Sequence, residues 1–199
     1  MKYVTLAPAI FLTAIFLAAI LLAGPASAQQ QQRPPRPAAM TLTTTAWKDG
    51  GVIPDKHSQP GRDVSPQLAW DNVPEGTESF VLMVRDLNSV TATGSDQFLH
   101  WMVWNIPKTA KGLAEKQNQE PELADGTRQI SSSGPYYRGP AASVFGPAHH
   151  YVFELYALSA KLDVPAVGQA PLATQAAVQA AMAGKILGKG VLTGTFRRN

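Results

Sequence analysis

The ten consecutive residues Phe98-Leu99-His100-Trp101-Met102-Val103-Trp104-Asn105-Ile106-Pro107 hold only two polar side chains, His100 and Asn105. A strand sends successive side chains to opposite faces, so a run this apolar has to be buried on both. Any sheet that carries it must therefore be covered above and below. Two further segments obey the same rule. Ser79 to Asp86 puts Phe80, Leu82 and Val84 on one side and Val81 and Met83 on the other, and ends in a carboxylate. His149 to Leu158 places His149, Tyr151, Phe153 and Leu155 on one face and sends His150 and Glu154 to the other. Three core strands thus stop in titratable groups, and those groups are expected to converge.

The chain has 199 residues, 45% of them hydrophobic and 16% charged, which suits one globular domain once any targeting segment is set aside. Lys2 precedes an apolar run from Val4 to Leu22, and Ala26 and Ala28 flank one position as signal peptidase requires. Residues 1–28 are expected to be a signal peptide cleaved after Ala28, with delivery to the periplasm or beyond; a retained membrane anchor is the alternative. Residues 29–39, rich in Gln and Pro, are expected to form a tether without a core of their own. The domain then occupies residues 40–199.

There is no cysteine, so neither disulfides nor a thioether lipid anchor are expected, and burial alone must hold the fold. Loss of residues 1–28 removes Lys2 and no acid, which leaves 16 basic against 14 acidic side chains, a balance of +2. That charge is too small and too scattered for nucleic acid, and Arg197-Arg198 reads as a solvated tail.

Thr41 to Trp47, rich in β-branched residues, suggests a first strand. The turn-rich stretch Lys48 to Asp63 carries His57, expected to be solvated. Pro107 to Ala148 is a long connection in which a short strand or helix can hide. Near the end, Thr174 is an expected N-cap, and Val178, Met182 and Ile186 make one helical stripe. Gly188 and Gly190 are expected to stop that helix, and Val191 to Phe196 to close the chain as a strand. Helical segments do not alternate with strands. The fold class is therefore mostly β, an antiparallel β-sandwich or barrel with one clear helix near the C-terminus.

Asp86, His100, His149 and Tyr151 would give one cleft a carboxylate, two imidazoles and a phenol, a set able to bind an anion. The bland alternative is that each is a satisfied polar group at a strand end.

Several motifs stand in a telling order: Asp63-Val64-Ser65-Pro66-Gln67-Leu68-Ala69-Trp70, Val73-Pro74-Glu75-Gly76-Thr77, His100-Trp101 with Asn105-Ile106-Pro107, and His149-His150-Tyr151-Val152-Phe153. From about Thr41 to Arg197 the chain resembles the phosphatidylethanolamine-binding protein family, in its bacterial, Raf kinase inhibitor-like branch. The resemblance implies a β-sandwich with peripheral helices and a small edge pocket for phosphate-bearing or other anionic groups. It further implies that Asp86 is the first acid of an Asp-Pro-Asp motif, His100 the pocket histidine, and His149 and Tyr151 those of a His-x-Tyr strand. Asn88 would stand for the second acid, and Gly139-Pro140 for the start of a Gly-Pro-Cys-Pro-Pro wall. This chain departs from both loop patterns, with Asp86-Leu87-Asn88-Ser89-Val90 and Gly139-Pro140-Ala141-Ala142-Ser143, so four loop prolines are missing and a less preorganised rim is expected.

The expected function is that of an exported binding protein, not an enzyme, with Asp86, Asn88, His100, Gly139, Pro140, His149 and Tyr151 lining a pocket for a small anionic or phosphorylated ligand. A phospholipid headgroup is one such ligand, reached by peripheral membrane contact, and a homodimer is a further expected association. No cofactor is called for. Two rival readings are a decayed pocket on a scaffold that inhibits a partner through its loops, and a weak hydrolase using Asp86 and His100 as acid and base. Gly-x-Ser-x-Gly is absent, and Ser131 to Ser133 have no motif placing a hydroxyl beside a histidine. A metal site of His100, His149 and Asp86 lacks close ligand spacing, and none is expected. Export would also separate the chain from cytoplasmic kinases.

Overall fold

The structure is a computed structural model that describes residues 36–89 and 98–198. The expected signal peptide, residues 29–35 of the tether and Val90 lie outside the described residues. In chain order the elements are β1 (Ala38–Ala39), β2 (Thr41–Thr43), a 3-10 turn (Asp55–His57), β3 (Leu68–Asp71), β4 (Ser79–Asp86), β5 (Phe98–Pro107), β6 (Gly112–Leu113), β7 (Arg128–Ile130), β8 (His149–Leu158), α1 (Pro171–Met182) and β9 (Ile186–Phe196).

The larger sheet runs β1-β9-β8-β4-β5-β7 and the smaller β2-β3-β6. Every pairing is antiparallel apart from β1 with β9. The three doubly apolar runs are β4, β5 and β8, and they occupy the interior of the larger sheet, as their pattern demands. On one face, Phe80, Leu82, Val84, Trp101, Phe153 and Leu155 pack with Leu42, Leu68 and Trp70 of the smaller sheet. On the other, Val81, Met83, Met102 and Trp104 pack with Val178 and Met182 of α1 and with Leu162 and Val164. Three layers result, and the mostly β architecture with a single helix agrees with the sequence expectation.

One irregularity in β5 positions the site. Val84 pairs with Trp101 and Arg85 with Leu99, so His100 is an extra residue, a β-bulge. Strict alternation would place His100 with Met102 and Trp104, on the helix-covered face. The bulge carries it to the inter-sheet face instead, where it meets Tyr151.

Four local expectations are corrected. Only Thr41–Thr43 pair with β3; beyond them Thr44 Oγ1 donates to the Gln67 carbonyl (2.6 Å) and replaces the ladder. His57 is buried rather than solvated, with Nδ1 2.7 Å from the Val64 carbonyl. The helix begins at Pro171 with Ala170 as N-cap, since proline suits the first helical position, and Thr174 lies inside it with its hydroxyl 3.3 Å from the Ala170 carbonyl. Ile186 belongs to β9, and Gly188 and Gly190 are strand residues rather than helix stops. A Cβ at Gly188 would lie 2.7 Å from Pro74 Cγ, so the close approach of the layers requires glycine. The long connection does hide strands, β6 and β7.

Candidate functional site

Period two along β4 carries Phe80, Leu82, Val84 and finally Asp86 on the inter-sheet side, and Asp86 pairs across the sheet with Tyr151 of β8. Asp86 is buried, and its two oxygens are used separately. Oδ2 stands 2.7 Å from Nδ1 of His149. Oδ1 accepts the Asn88 N–H at 2.8 Å, which closes a tight turn beyond the strand. The carboxylate thereby holds His149 Nδ1 as a donor and leaves Nε2 without a bond among the described residues.

His100 is buried in the bulge and clasped from both sides by Arg138. Its Nδ1 lies 2.6 Å from the Arg138 carbonyl, and the Arg138 N–H donates to the His100 carbonyl at 2.9 Å. A carbonyl can only accept, so Nδ1 carries a proton and a neutral His100 presents Nε2 as a lone pair. Burial pushes its pKa below the ordinary histidine value, although the Arg138 carbonyl and the Asp86 charge act in the opposite sense.

Tyr151 completes the group. Its ring meets His100 edge-on at 5.1 Å and lies nearly parallel to His149 at 6.5 Å. Its hydroxyl is buried and makes no well-aligned hydrogen bond among the described residues, although the Asp86 carboxylate and the Ala141 and Ala142 amides lie close to it. Burial raises the phenol pKa well above its usual range, and the Asp86 charge adds to that. The backbone amides of Ala141 and Ala142 are near enough to oppose the shift.

Gly139 and Pro140 form a wall, but their own polar groups are committed. The Gly139 N–H donates to Asp63 Oδ1 (2.6 Å), its carbonyl accepts from Gln59 Nε2 (2.7 Å), and the Pro140 carbonyl accepts the Gln59 N–H (2.9 Å). A Cβ at Gly139 would sit 2.2 Å from the His57 carbonyl oxygen, so no other residue fits. Asp63 Oδ2 also takes the Arg138 guanidinium at 2.9 Å. One carboxylate thus anchors the segment that orients His100 and brings the Ala141 and Ala142 amides to Tyr151. Asp63 is a positioning residue that the sequence reading quoted only as part of a motif; Arg138, Gln59 and the two alanine amides carried no local signal. Asn88 stands apart from the group. It is exposed, and its side-chain oxygen accepts from the His150 N–H (2.7 Å) and faces the His150 ring (3.0 Å).

Asp86, His100, His149 and Tyr151 are therefore brought together, Gly139 and Pro140 border them by backbone, and the Asn88 side chain turns to His150. Among the described residues no three His, Asp or Glu side chains are grouped to hold a metal ion. The Ser131 and Ser132 hydroxyls donate to the carbonyls of Gly134 (3.1 Å) and Leu99 (3.0 Å). Around a buried carboxylate the site offers the Tyr151 hydroxyl and two backbone amides as donors, with two imidazole Nε2 atoms that donate only when protonated.

A family model described as Phosphatidylethanolamine-binding protein matches residues 43–197. A UPF0098 protein of Aquifex aeolicus is 34% identical over 163 residues, covering 81% of this chain and 91% of its own length. Among solved structures, the phosphatidylethanolamine-binding protein homolog CT736 of Chlamydia trachomatis superposes with a TM-score of 0.67 at 28% identity, over 81% of this chain and 99% of its own. E. coli YbcL, described as a member of the mammalian PEBP family, gives 0.65 at 25% identity, over 80% and 99%.

Proposed function

This chain belongs to the phosphatidylethanolamine-binding protein family, and from that premise we propose that it is an exported, non-enzymatic binding protein for a small anion or phosphate-bearing headgroup. The observation that carries the reading is the Tyr151 hydroxyl. It is buried with the Asp86 carboxylate and two alanine amides close by but no well-aligned partner among the described residues, and a buried hydroxyl left unsatisfied costs about 1–3 kcal/mol. An oxyanion between Tyr151, the Ala141 and Ala142 amides and the imidazole Nε2 atoms would satisfy it. Asp86 at the base of the cluster limits the charge that can be accepted, which favours a ligand carrying its own proton or ammonium group, such as phosphoethanolamine or monoanionic phosphate. The commitment of the Ser131 and Ser132 hydroxyls to backbone carbonyls supports binding over acyl transfer. Export rests on the apolar run Val4 to Leu22 and the small residues Ala26 and Ala28.

The test is a titration with inorganic phosphate and with phosphoethanolamine, followed by histidine side-chain NMR. His100 and His149 are expected to shift together at sub-millimolar ligand, and Tyr151→Phe, which removes only the hydroxyl, to weaken binding about tenfold. Resonances that do not respond to either ligand would leave the fold without a working pocket and overturn the reading.

A further inference from the structure

Four of the large apolar side chains exposed to solvent gather at the end of the larger sheet where the candidate site lies. Leu87 follows Asp86 directly, and its N–H donates to the His150 carbonyl at 2.9 Å; its side chain is 48% exposed. Val52, 71% exposed, bridges to Thr195 of β9, the residue that pairs with His150. Val144 and Phe145 sit on the short loop 143–148, which starts beside Ala142 at the site wall and ends at His149 of the site itself. Phe145 is 89% exposed. Its N–H donates to Ser143 Oγ at 3.1 Å, so the loop is shaped from within, and among the described residues almost nothing covers the ring. A phenylalanine held that far out at a loop tip loses the whole benefit of burial unless something apolar receives it.

The charge at this end is basic. Phe196 pairs with His149, and the next two residues, Arg197 and Arg198, are exposed. His150 is exposed beside them. Among the described residues here, Asp86 is buried against His149, Asp49 accepts from the Thr193 backbone N–H and hydroxyl, both at 2.7 Å, and Asp55 is exposed beside the exposed Lys56. Exposed apolar tips flanked by arginines match the boundary of an anionic bilayer, where the ring enters the acyl margin and the guanidinium groups meet phosphates.

We propose that this end of the sheet docks on an anionic phospholipid surface, with Phe145 inserted, Leu87, Val52 and Val144 around it, and Arg197-Arg198 on the headgroups. The docked orientation opens the Asp86, His100, His149 and Tyr151 cluster toward the headgroup layer. That last clause rests on the anion-pocket reading; the docking surface is carried by exposure and charge alone.

The experiment uses the chain from Gln29 onward, so that the apolar run of residues 4–22 cannot bind lipid itself. Residues 36–199 form a compact unit, and CT736, 99% covered by this region, is a solved protein, so this part folds by itself. Sedimentation is measured with vesicles of equal parts phosphatidylglycerol and phosphatidylcholine, and with phosphatidylcholine alone. Binding is expected to the mixed vesicles, to fall about tenfold in Phe145→Ser and to weaken with salt and in the Arg197→Gln/Arg198→Gln pair. Phosphate titration by NMR should be unchanged in Phe145→Ser, which separates this surface from the pocket. Vesicle binding equal in wild type and Phe145→Ser overturns the proposal, as does no binding to mixed vesicles. So does a Phe145-dependent dimer seen by light scattering without vesicle binding, which would assign the face to a second copy.

Discussion

His100 is kept neutral by its surroundings: its Nδ1 proton is given to the Arg138 carbonyl, and burial lowers its pKa. An oxyanion brought to Nε2 would favour the imidazolium, so binding raises that pKa and takes up a proton. Affinity should therefore increase as pH falls toward and below the ordinary histidine value. Sulfate is the probe to use, because its own charge does not change in this range. Isothermal titration in buffers of different ionisation enthalpy should show proton uptake in wild type and clearly less in His100→Gln; equal uptake in both would place His100 outside the contact. At this scale the sequence was informative about β8, where period two puts His149 and Tyr151 together and His150 away, as the ring geometry shows. It misplaced His57, expected to be solvated, whose burial comes from the carbonyl of Val64 and the ring of Trp47, partners a local pattern cannot reveal.

At the level of elements, α1 covers the outer face of the larger sheet with few contacts of its own making. Its N-cap makes no side-chain hydrogen bond and its buried residues are Thr174, Val178 and Met182. The helix is therefore held by packing on Val81, Met83 and Trp104 rather than by capping. Met182→Ala should cost about 2–5 kcal/mol in chemical denaturation, because a methionine buried this deeply leaves a cavity. The same variant should leave the His100 and His149 resonances in place, since α1 lies across the sheet from them. The four-residue stripe through Val178 and Met182 was legible, yet its extension to Ile186 was not real. Ile186 enters β9 because its strand pairs with β8 over ten residue partners, and pairing of that length outweighs a helical coincidence.

For the whole molecule, two buried ionisable sites among the described residues, His100 and Glu154, contribute to the response to acid. His100 has a folded-state pKa below the 6.5 of an ordinary histidine, so the unfolded chain binds the proton more readily. Its contribution is complete above that value and declines as pH falls below it. Glu154 lies buried between Lys189 and Arg85. Burial would raise its pKa, but the Lys189 hydrogen bond and the Arg85 charge prevail and hold it below the 4.5 of an ordinary glutamate. Its contribution is present above that value and is lost as pH falls through the lower folded-state one. Urea midpoints should then fall in two stages on acidification, and His100→Gln should abolish the first while keeping the second. A first stage that survives the substitution would assign it to another group. The layered architecture itself was readable in the chain, because strands apolar on both sides have no stable place except the middle of a covered sheet, and β4, β5 and β8 took that place. Asp86, His149 and Tyr151 followed from the same alternation. The position of His100 did not, since a bulge depends on how β5 pairs with β4 and not on β5's own pattern. Nor did the wall of the site, which hangs on Asp63, a carboxylate 75 residues from the arginine it holds. Alternation is a local rule that survives in any context, whereas register and long-range anchoring exist only once distant segments have met.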